Sequence, residues 1–538
     1  MAEILQAIVA ARGDNPALID ESGETTWAEL DVRTNRIVHA LRAAGLSAGD
    51  RVALLMGNRR ETFEFVMAGY HGGFTLVPLN WHLAPDEIAY TIDDSDARAF
   101  VVDERFAEVA RAALALLPGT PAGAPGLTSR LFVRAAGATG VRSEPVPEGF
   151  VDFEAALAAA SPGEPEDQRA GTVMFYTSGT TGRPKGVTAA AKAEPGPSSA
   201  VTAGGQMFCT MLGIAPDGVT LLDGPYYHSA QFAWSALPLA AGSTIVMRHR
   251  FVPEDTLDLI DRHGVTNVHL VPTQLLRLLK VDEMRRAAFS GKTLTAVWHG
   301  AAPCPPEVKR RILDWWGPVL HEYYGATEGG IITTIKGDEW LERPGSVGKP
   351  WPAAEIFVRD DAGKDLPAGV TGQLWFRDRL GRDFAYHKDP DKTAKAHQEP
   401  GVYTFGDIGR VDEDGYLFLS DRKIDMIISG GVNIYPAEIE GVLVTHPAVA
   451  DAAVFGIPDD EFGEQVKAAV ELMPGAGDDT GAADGVVAEL VALCRDKLAG
   501  FKVPKSFDIV ETLPRTPTGK LQKRRLRDPY WEGTGRSM

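Results

Sequence analysis

The sequence predicts an α/β fold: a large N-terminal domain over residues 1–421 and a smaller α+β C-terminal domain over residues 422–538, joined by a hinge. Three observations predict it. Short β-like runs alternate with amphipathic helical patterns through most of the chain, which implies βαβ units and largely parallel sheets. After about Val347 the runs become closely spaced strands separated by Gly, Pro and Asp turns, a small β-rich subdomain. Beyond Asp421 strands and helices form a set able to fold separately. At 538 residues the chain is too long for one core, and roughly two to four compact units are expected.

Taken in order, "RVALLM", "RRETFEFVMAGYHGG", "FTLVPLN", "APDEIAYTIDDS" and "RAFVVDE" read as strand, helix, strand, helix, strand. The alternation resumes from "STIVMRH" through "VLHEYYG", so two layered αβ subdomains fit. "EIFVRD", "GQLWFR" and "GYLFLSDR" supply the β-rich unit, and "DMIISGG", "PAEIEGVLVTH", "VADAAVFGIPD" and "EQVKAAVELM" open the C-terminal one. "AAAKAEPGPSSAVTAGG", poor in large apolar residues, reads as a surface loop, either a flap near the site or a tolerated insertion. "FAWSALPLAAGSTIVM" is broken by Ser, Pro and Gly, too short for a membrane span, and reads as buried pocket wall and strand.

A hydrophobic content of 44% with 24% charged residues is that of a globular protein. The formal charge of −19 opposes generic attraction to nucleic acid or anionic lipid, so any bound phosphate needs a dedicated pocket. Cys209, Cys304 and Cys494 are too scattered for a disulfide framework or a CxxC metal site, which fits a reducing cytoplasm. The N-terminus lacks a basic segment followed by a continuous apolar one, and no signal peptide is expected.

"YTSGTTGRPKGV", Tyr176 to Val187, crowds hydroxyls, glycines and a lysine together. It reads either as a polar hairpin or as a loop that wraps a polyanion in N–H groups and hydroxyls. It is not a Walker A loop, which requires G-x-x-x-x-G-K-[ST] with a final hydroxyl on Mg²⁺. Thr177, Ser178, Thr180 and Thr181 offer hydroxyls, Gly179 and Gly182 permit close backbone approach, and Lys185 adds a point charge. Lacking the Walker hydroxyl, such a loop would leave a cation that accompanies a bound polyanion to a carboxylate from elsewhere. "YYGATEGG", Tyr323 to Gly330, offers Glu328, although a Thr-Glu pair alone also reads as a helix cap. "HGAAP", His299 to Pro303, is small enough for a flat ring to lie on its backbone, or is a plain turn. "LPRTPTGKLQKRRLRD" from Leu513 reads as a solvated basic tail or a charged site.

The twelve-residue string resembles the phosphate loop of the adenylate-forming superfamily, which includes acyl-CoA synthetases and fatty-acid–CoA ligases, and the other motifs follow in the family's order. The resemblance implies ATP-dependent conversion of a carboxylic acid to an acyl-adenylate, then transfer to coenzyme A, with ATP, Mg²⁺ and coenzyme A as cofactors. The alternative is transfer to a carrier protein, an amine or another small nucleophile. It implies that Lys520 bridges the acyl carboxylate and the α-phosphate, that Thr327 contacts phosphate and that Glu328 binds Mg²⁺. Adenine is expected beside Gly300, Ala301, Ala302 and Tyr324, and ribose on Asp407 with Arg422 in support. His228 takes the position that separates acyl pocket from thiol tunnel, and Tyr227, Phe232, Trp234, Trp298, His299 and Gly325 are the expected pocket wall. The hinge carries Ile424 where relatives have a polar residue, so Lys423 or Asp425 substitutes or the conformational balance changes. Expected partners are a small-molecule carboxylic acid and no nucleic acid, with no transmembrane segment; a homodimer is compatible.

Overall fold

The computed structural model describes residues 5–117, 126–134, 145–177, 183–190, 196–422, 425–430, 432–476, 482–515 and 521–532. Its first sheet has six parallel strands in the order Val151–Asp152, Ser129–Val133, Ala97–Asp103, Arg51–Leu55, Thr75–Pro78 and Thr172–Val173. Helices Arg60–Gly72, Pro85–Asp94 and Ala107–Leu116 connect these strands. Pro85 opens its helix at a position where the missing N–H costs nothing, and Gly73 closes the preceding one at φ 77°, a conformation other residues resist.

The second sheet has nine strands. Its parallel centre runs Leu320–Ala326, Ala296–His299, Asn267–Leu270, Val219–Leu222, Thr244–Met247 and Pro16–Asp20. Antiparallel strands flank it: Gly330–Ile335 and Lys349–Pro350 on one side, Gly23–Thr26 on the other. Thr26 then caps helix Trp27–Ala43, its hydroxyl accepting from the N–H of Glu29 while the Glu29 carboxylate accepts from the Thr26 N–H.

A β-rich unit from Ala354 to Arg422 follows, and in it Asp407 pairs with Arg422 across adjacent strands. Ile427–Ser429 already belongs to the next sheet, formed with Val432–Ile434, Val449–Asp459, Gly463–Leu472 and Ser506–Val510. Its own apolar core includes Ile427, Ile439, Leu443, Val454, Leu490 and Cys494. The large domain touches this unit through Lys280, whose Nζ donates to the carbonyls of Val449 at 3.0 Å and Ala450 at 3.1 Å.

The structure corrects the reading of residues 189–205 as a surface loop. Ser199–Leu212 is a helix, so the second half of that stretch is ordered secondary structure packed on helix Ser229–Ala241. Gly205 makes the contact: a Cβ there would sit 2.5 Å from the Leu237 carbonyl oxygen. The apolar run ahead of strand Thr244–Met247 is likewise a helix, with Pro238 inside it. Among the described residues no helix is long and apolar enough to cross a membrane.

Candidate functional site

Ligands in α/β sheets sit beyond the carboxyl ends of the strands, and here the carboxyl ends of both large sheets open on one cavity of about 1560 Å³. Strand Thr75–Pro78 delivers Leu79 to Leu83 to its wall, Val219–Leu222 delivers Asp223, Asn267–Leu270 delivers Val271, Ala296–His299 delivers Ala301 and Ala302, and Leu320–Ala326 delivers Thr327 and Glu328.

One end of the cavity is polar. Thr177, Thr327 and Glu328 border it, and the Thr327 hydroxyl lies 2.8 Å from that of Ser229. The Tyr386 hydroxyl donates to Glu328 Oε1 at 2.9 Å, and the Lys392 ammonium lies 4.0 Å from the centre of the Tyr386 ring. Burial, then the Glu328 charge, keeps the Tyr386 hydroxyl protonated, while burial lowers the Lys392 ammonium from its usual range. Lys185 stands at the foot of the glycine-rich stretch, where strand Lys185–Ala189 pairs antiparallel with Phe175–Thr177. Its ammonium is ion-paired with Asp389 at 3.0 Å. Ser178, Gly179, Thr180, Thr181 and Gly182 lie outside the described residues, as do Lys423, Ile424 and Lys520. Arg515, in the same motif as Lys520, borders the cavity and is held by both carboxylate oxygens of Asp451, at 2.5 and 2.7 Å.

The expected adenine segment is sterically demanding. Ala301 has φ 67°, a left-handed conformation that costs a non-glycine residue roughly 1–2 kcal/mol. A Cβ on Gly300 would lie 2.5 Å from the Tyr323 ring, and one on Gly325 would fall 1.9 Å from the Gly330 carbonyl. Ala301, Ala302 and Gly325 border the cavity; Gly300 and Tyr324 lie behind it. The Tyr324 hydroxyl donates to Asp407 Oδ2 at 2.5 Å, and neither Tyr324 nor Asp407 borders the cavity.

The other end is aromatic. Tyr227, His228 and Trp234 line it, whereas Phe232, Trp298 and His299 do not. Helical geometry explains Phe232: Ala230, Ala233, Trp234 and Leu237 share one face of helix Ser229–Ala241, and Phe232 turns to the other. It packs edge-on against Phe175, with ring centres 5.4 Å apart. Trp298 and His299 stand on a central parallel strand with neighbours on both sides. The Trp298 indole donates to the Leu212 carbonyl at 3.0 Å, and fully buried His299 lies 3.7 Å from Glu322, which Lys309 binds at 2.6 Å. His228 is held neutral, burial and then His82 lowering its pKa to about 3.

Several residues bordering the cavity were not singled out from sequence. Trp81 stacks over Phe106 and meets Tyr227 edge-on, Asp223 is 2% exposed and held by Thr256 at 2.6 Å, and Gln231 contacts His269. Tyr386 and Lys392 had a legible signal in "DFAYHKDPDKTAKAH": aromatic alternation for strand Phe384–Tyr386, then Asp389 and Pro390 as cap and first turn of helix Pro390–Ala396.

Comparison with known proteins adds the family. Residues 5–380 match the AMP-binding enzyme family and residues 438–520 the AMP-binding enzyme C-terminal domain. The chain is 32% identical to the fatty acid–[acyl-carrier-protein] ligase ScoC of Streptomyces coeruleorubidus, over 97% of this chain and 95% of that one. It is 30% identical to the medium/long-chain-fatty-acid–CoA ligase FadD8 of Mycobacterium tuberculosis, over 98% and 89%. The amide bond synthetase McbA from Marinactinospora thermotolerans superposes with a TM-score of 0.79 at 29% identity, over 98% and 99%. The chain therefore belongs to the adenylate-forming, AMP-binding enzyme family and is an acyl-CoA-synthetase-like ligase with a large N-terminal and a smaller C-terminal domain.

Proposed function

We propose that this ligase converts a carboxylic acid and ATP to an acyl-adenylate and pyrophosphate, and then passes the acyl group to coenzyme A with release of AMP. The observation that carries the reading is the single cavity that joins the Thr177, Thr327 and Glu328 end to the aromatic end. In the first step a carboxylate oxygen attacks the α-phosphorus while the bond to the bridging β-phosphate oxygen breaks. Positioning and charge stabilisation account for most of such catalysis. Thr177, Thr327 and Lys185, with Ser178 to Gly182, are proposed to hold the phosphates, and Lys520 to offset the repulsion between carboxylate and α-phosphate.

A lone carboxylate beside hydroxyls suits Mg²⁺, which takes one or two protein carboxylates and completes its shell with substrate phosphates and water. Glu328, oriented by Tyr386, would hold it, and the ion would draw charge off the phosphate oxygens. Ala301, Ala302 and Tyr324 are proposed to receive adenine, and Asp407 with Arg422 the ribose. The small domain is proposed to swing about the Arg422–Ile427 connection between half-reactions.

Trp81, Pro225, His249 and Pro272 also border the cavity, as do Arg250 and Arg277, two exposed cations suited to a phosphate-bearing thiol carrier. Asp223, which also borders the cavity, favours a second reading, because the ionised fraction of a buried carboxyl whose pKa burial raises to about 8 could take a proton from an amine acceptor. Carboxylate-dependent ATP–pyrophosphate exchange over a panel of acids, followed by product analysis with coenzyme A or amines, separates the two. Lys520→Ala should abolish exchange while thioester formation from supplied acyl-adenylate survives in part; equal loss of both would remove the proposed role.

A further inference from the structure

Three residues that border the cavity form a hydrogen-bonded chain whose proton directions can be assigned. One Gln231 side-chain atom lies 3.0 Å from His269 Nδ1 and 3.3 Å from the His269 carbonyl oxygen. A carbonyl only accepts, so that atom is the amide nitrogen, and it donates to Nδ1 as well. With Nδ1 accepting, and the buried ring neutral because burial lowers its pKa to about 3, the single imidazole proton is on Nε2. Nε2 lies 3.2 Å from the Tyr323 hydroxyl and therefore donates to its oxygen. The Tyr323 proton is then left to donate, and no hydrogen bond among the described residues receives it. Tyr323 is 6% exposed, and its ring stacks on Trp234 with centres 4.4 Å apart and planes 30° apart. Phe208 meets Trp234 edge-on at 5.2 Å, so this wall is flat, rigid and aromatic.

We propose that the acid activated here is planar and ring-bearing, with a hydrogen-bond acceptor on the ring that the Tyr323 hydroxyl reads at the end of the Gln231–His269–Tyr323 chain. The inference rests on the adenylation reading for the site's orientation and goes beyond it in naming the substrate class. Tyr323 and Ala326 lie on one strand, and three residues of strand span roughly 10 Å. That is about the reach of one ring with a short side chain whose carboxylate meets the Thr327 end. An unbranched alkyl chain in the same place would leave the Tyr323 proton buried without an acceptor, the more costly arrangement.

The test is titration calorimetry of the full chain with four acids: para-methoxycinnamic acid, its shape-matched para-ethyl analogue, unsubstituted cinnamic acid and nonanoic acid. The methoxy acid should bind on the order of tenfold to a hundredfold more tightly than the para-ethyl one. Tyr323→Phe should bring that ratio close to one. Tightest binding of nonanoic acid, equal binding of the methoxy and ethyl acids by the native chain, or an unchanged ratio in Tyr323→Phe would overturn the inference. Pyrophosphate exchange run in parallel keeps the two readings apart. Ring acids that bind in this order without exchange sink the adenylation reading alone, and exchange confined to nonanoic acid sinks this one alone.

Discussion

At the scale of single residues the polar end turns on how Glu328 is held. Its one described side-chain hydrogen bond comes from Tyr386, on a strand far away in sequence, and Tyr386 in turn lies beneath Lys392. Partners that orient a metal-binding carboxylate typically alter metal affinity tenfold to a hundredfold when removed. Tyr386→Phe keeps the ring and deletes only the donor, so the Mg²⁺ concentration for half-maximal pyrophosphate exchange should rise about tenfold while the saturated rate falls less. Glu328→Gln should lower the saturated rate itself, by roughly a hundredfold. A magnesium titration of both variants checks the pair; an unchanged midpoint in Tyr386→Phe would show that its hydroxyl only packs.

At the scale of elements, helices Ser199–Leu212 and Ser229–Ala241 form one wall of the cavity, and two adjacent glycines meet opposite demands. A Cβ on Gly205 would press on the backbone of the facing helix, whereas one on Gly204, which borders the cavity, meets nothing within 4 Å. Gly205→Ala should therefore lower the melting temperature, by overpacking worth about 1–3 kcal/mol. Gly204→Ala should raise it by up to about 1 kcal/mol of helix propensity. Thermal melts of the two variants decide the matter, and a loss of stability in Gly204→Ala would contradict this packing. The same pair of helices shows how far sequence carries. Its composition marked apolar wall correctly, but Gly, Pro and Ser read as loop signals because their helical roles, close approach and cavity lining, exist only against a partner helix. Once the helix is known, its period separates Phe232 from Trp234, a distinction that no list of aromatic residues can make. The place of Thr327 and Glu328 on the cavity was legible because they follow directly on strand Leu320–Ala326 within one motif. The strand that carries Tyr386 had a local signal, but its pairing with Glu328, like that of Ser229 with Thr327, had none, because each serves a residue that is close only in space.

At the scale of the whole molecule, strand order was the least legible feature. Pro16–Asp20 crosses to the second sheet and pairs with Thr244–Met247, a contact between residues more than two hundred positions apart in the chain that no local pattern encodes. That closure buries ionisable groups along with apolar ones. Nine histidines are pushed below their usual pKa of 6.5, chiefly by burial: His71, His249 and His321 to about 4, His228 and His269 to about 3, His299 well below, and His82, His263 and His387 in the same direction. A lowered pKa means that the unfolded chain takes up the proton first, so stability is present above pH 6.5 and is lost as the pH falls toward 4. Asp223, raised to about 8, Asp31, raised to about 6, and Glu64, Glu322 and Glu464, all raised by burial, act in the opposite sense, since their protons leave on unfolding above the ordinary carboxylate range. At pH 5 the histidines outnumber the carboxyls, so unfolding takes up several protons, and each is worth roughly 1.4 kcal/mol per pH unit. Stability should therefore peak near neutrality and fall by several kcal/mol between pH 6.5 and 5, measured as urea midpoints across that range. Asp223→Asn should gain stability relative to the native chain as the pH rises from 5 to 8, because it removes the one buried carboxyl whose ionisation the folded state resists that far. A flat profile from pH 7.5 to 5 would mean that these histidines are already charged, or wet, in the folded protein.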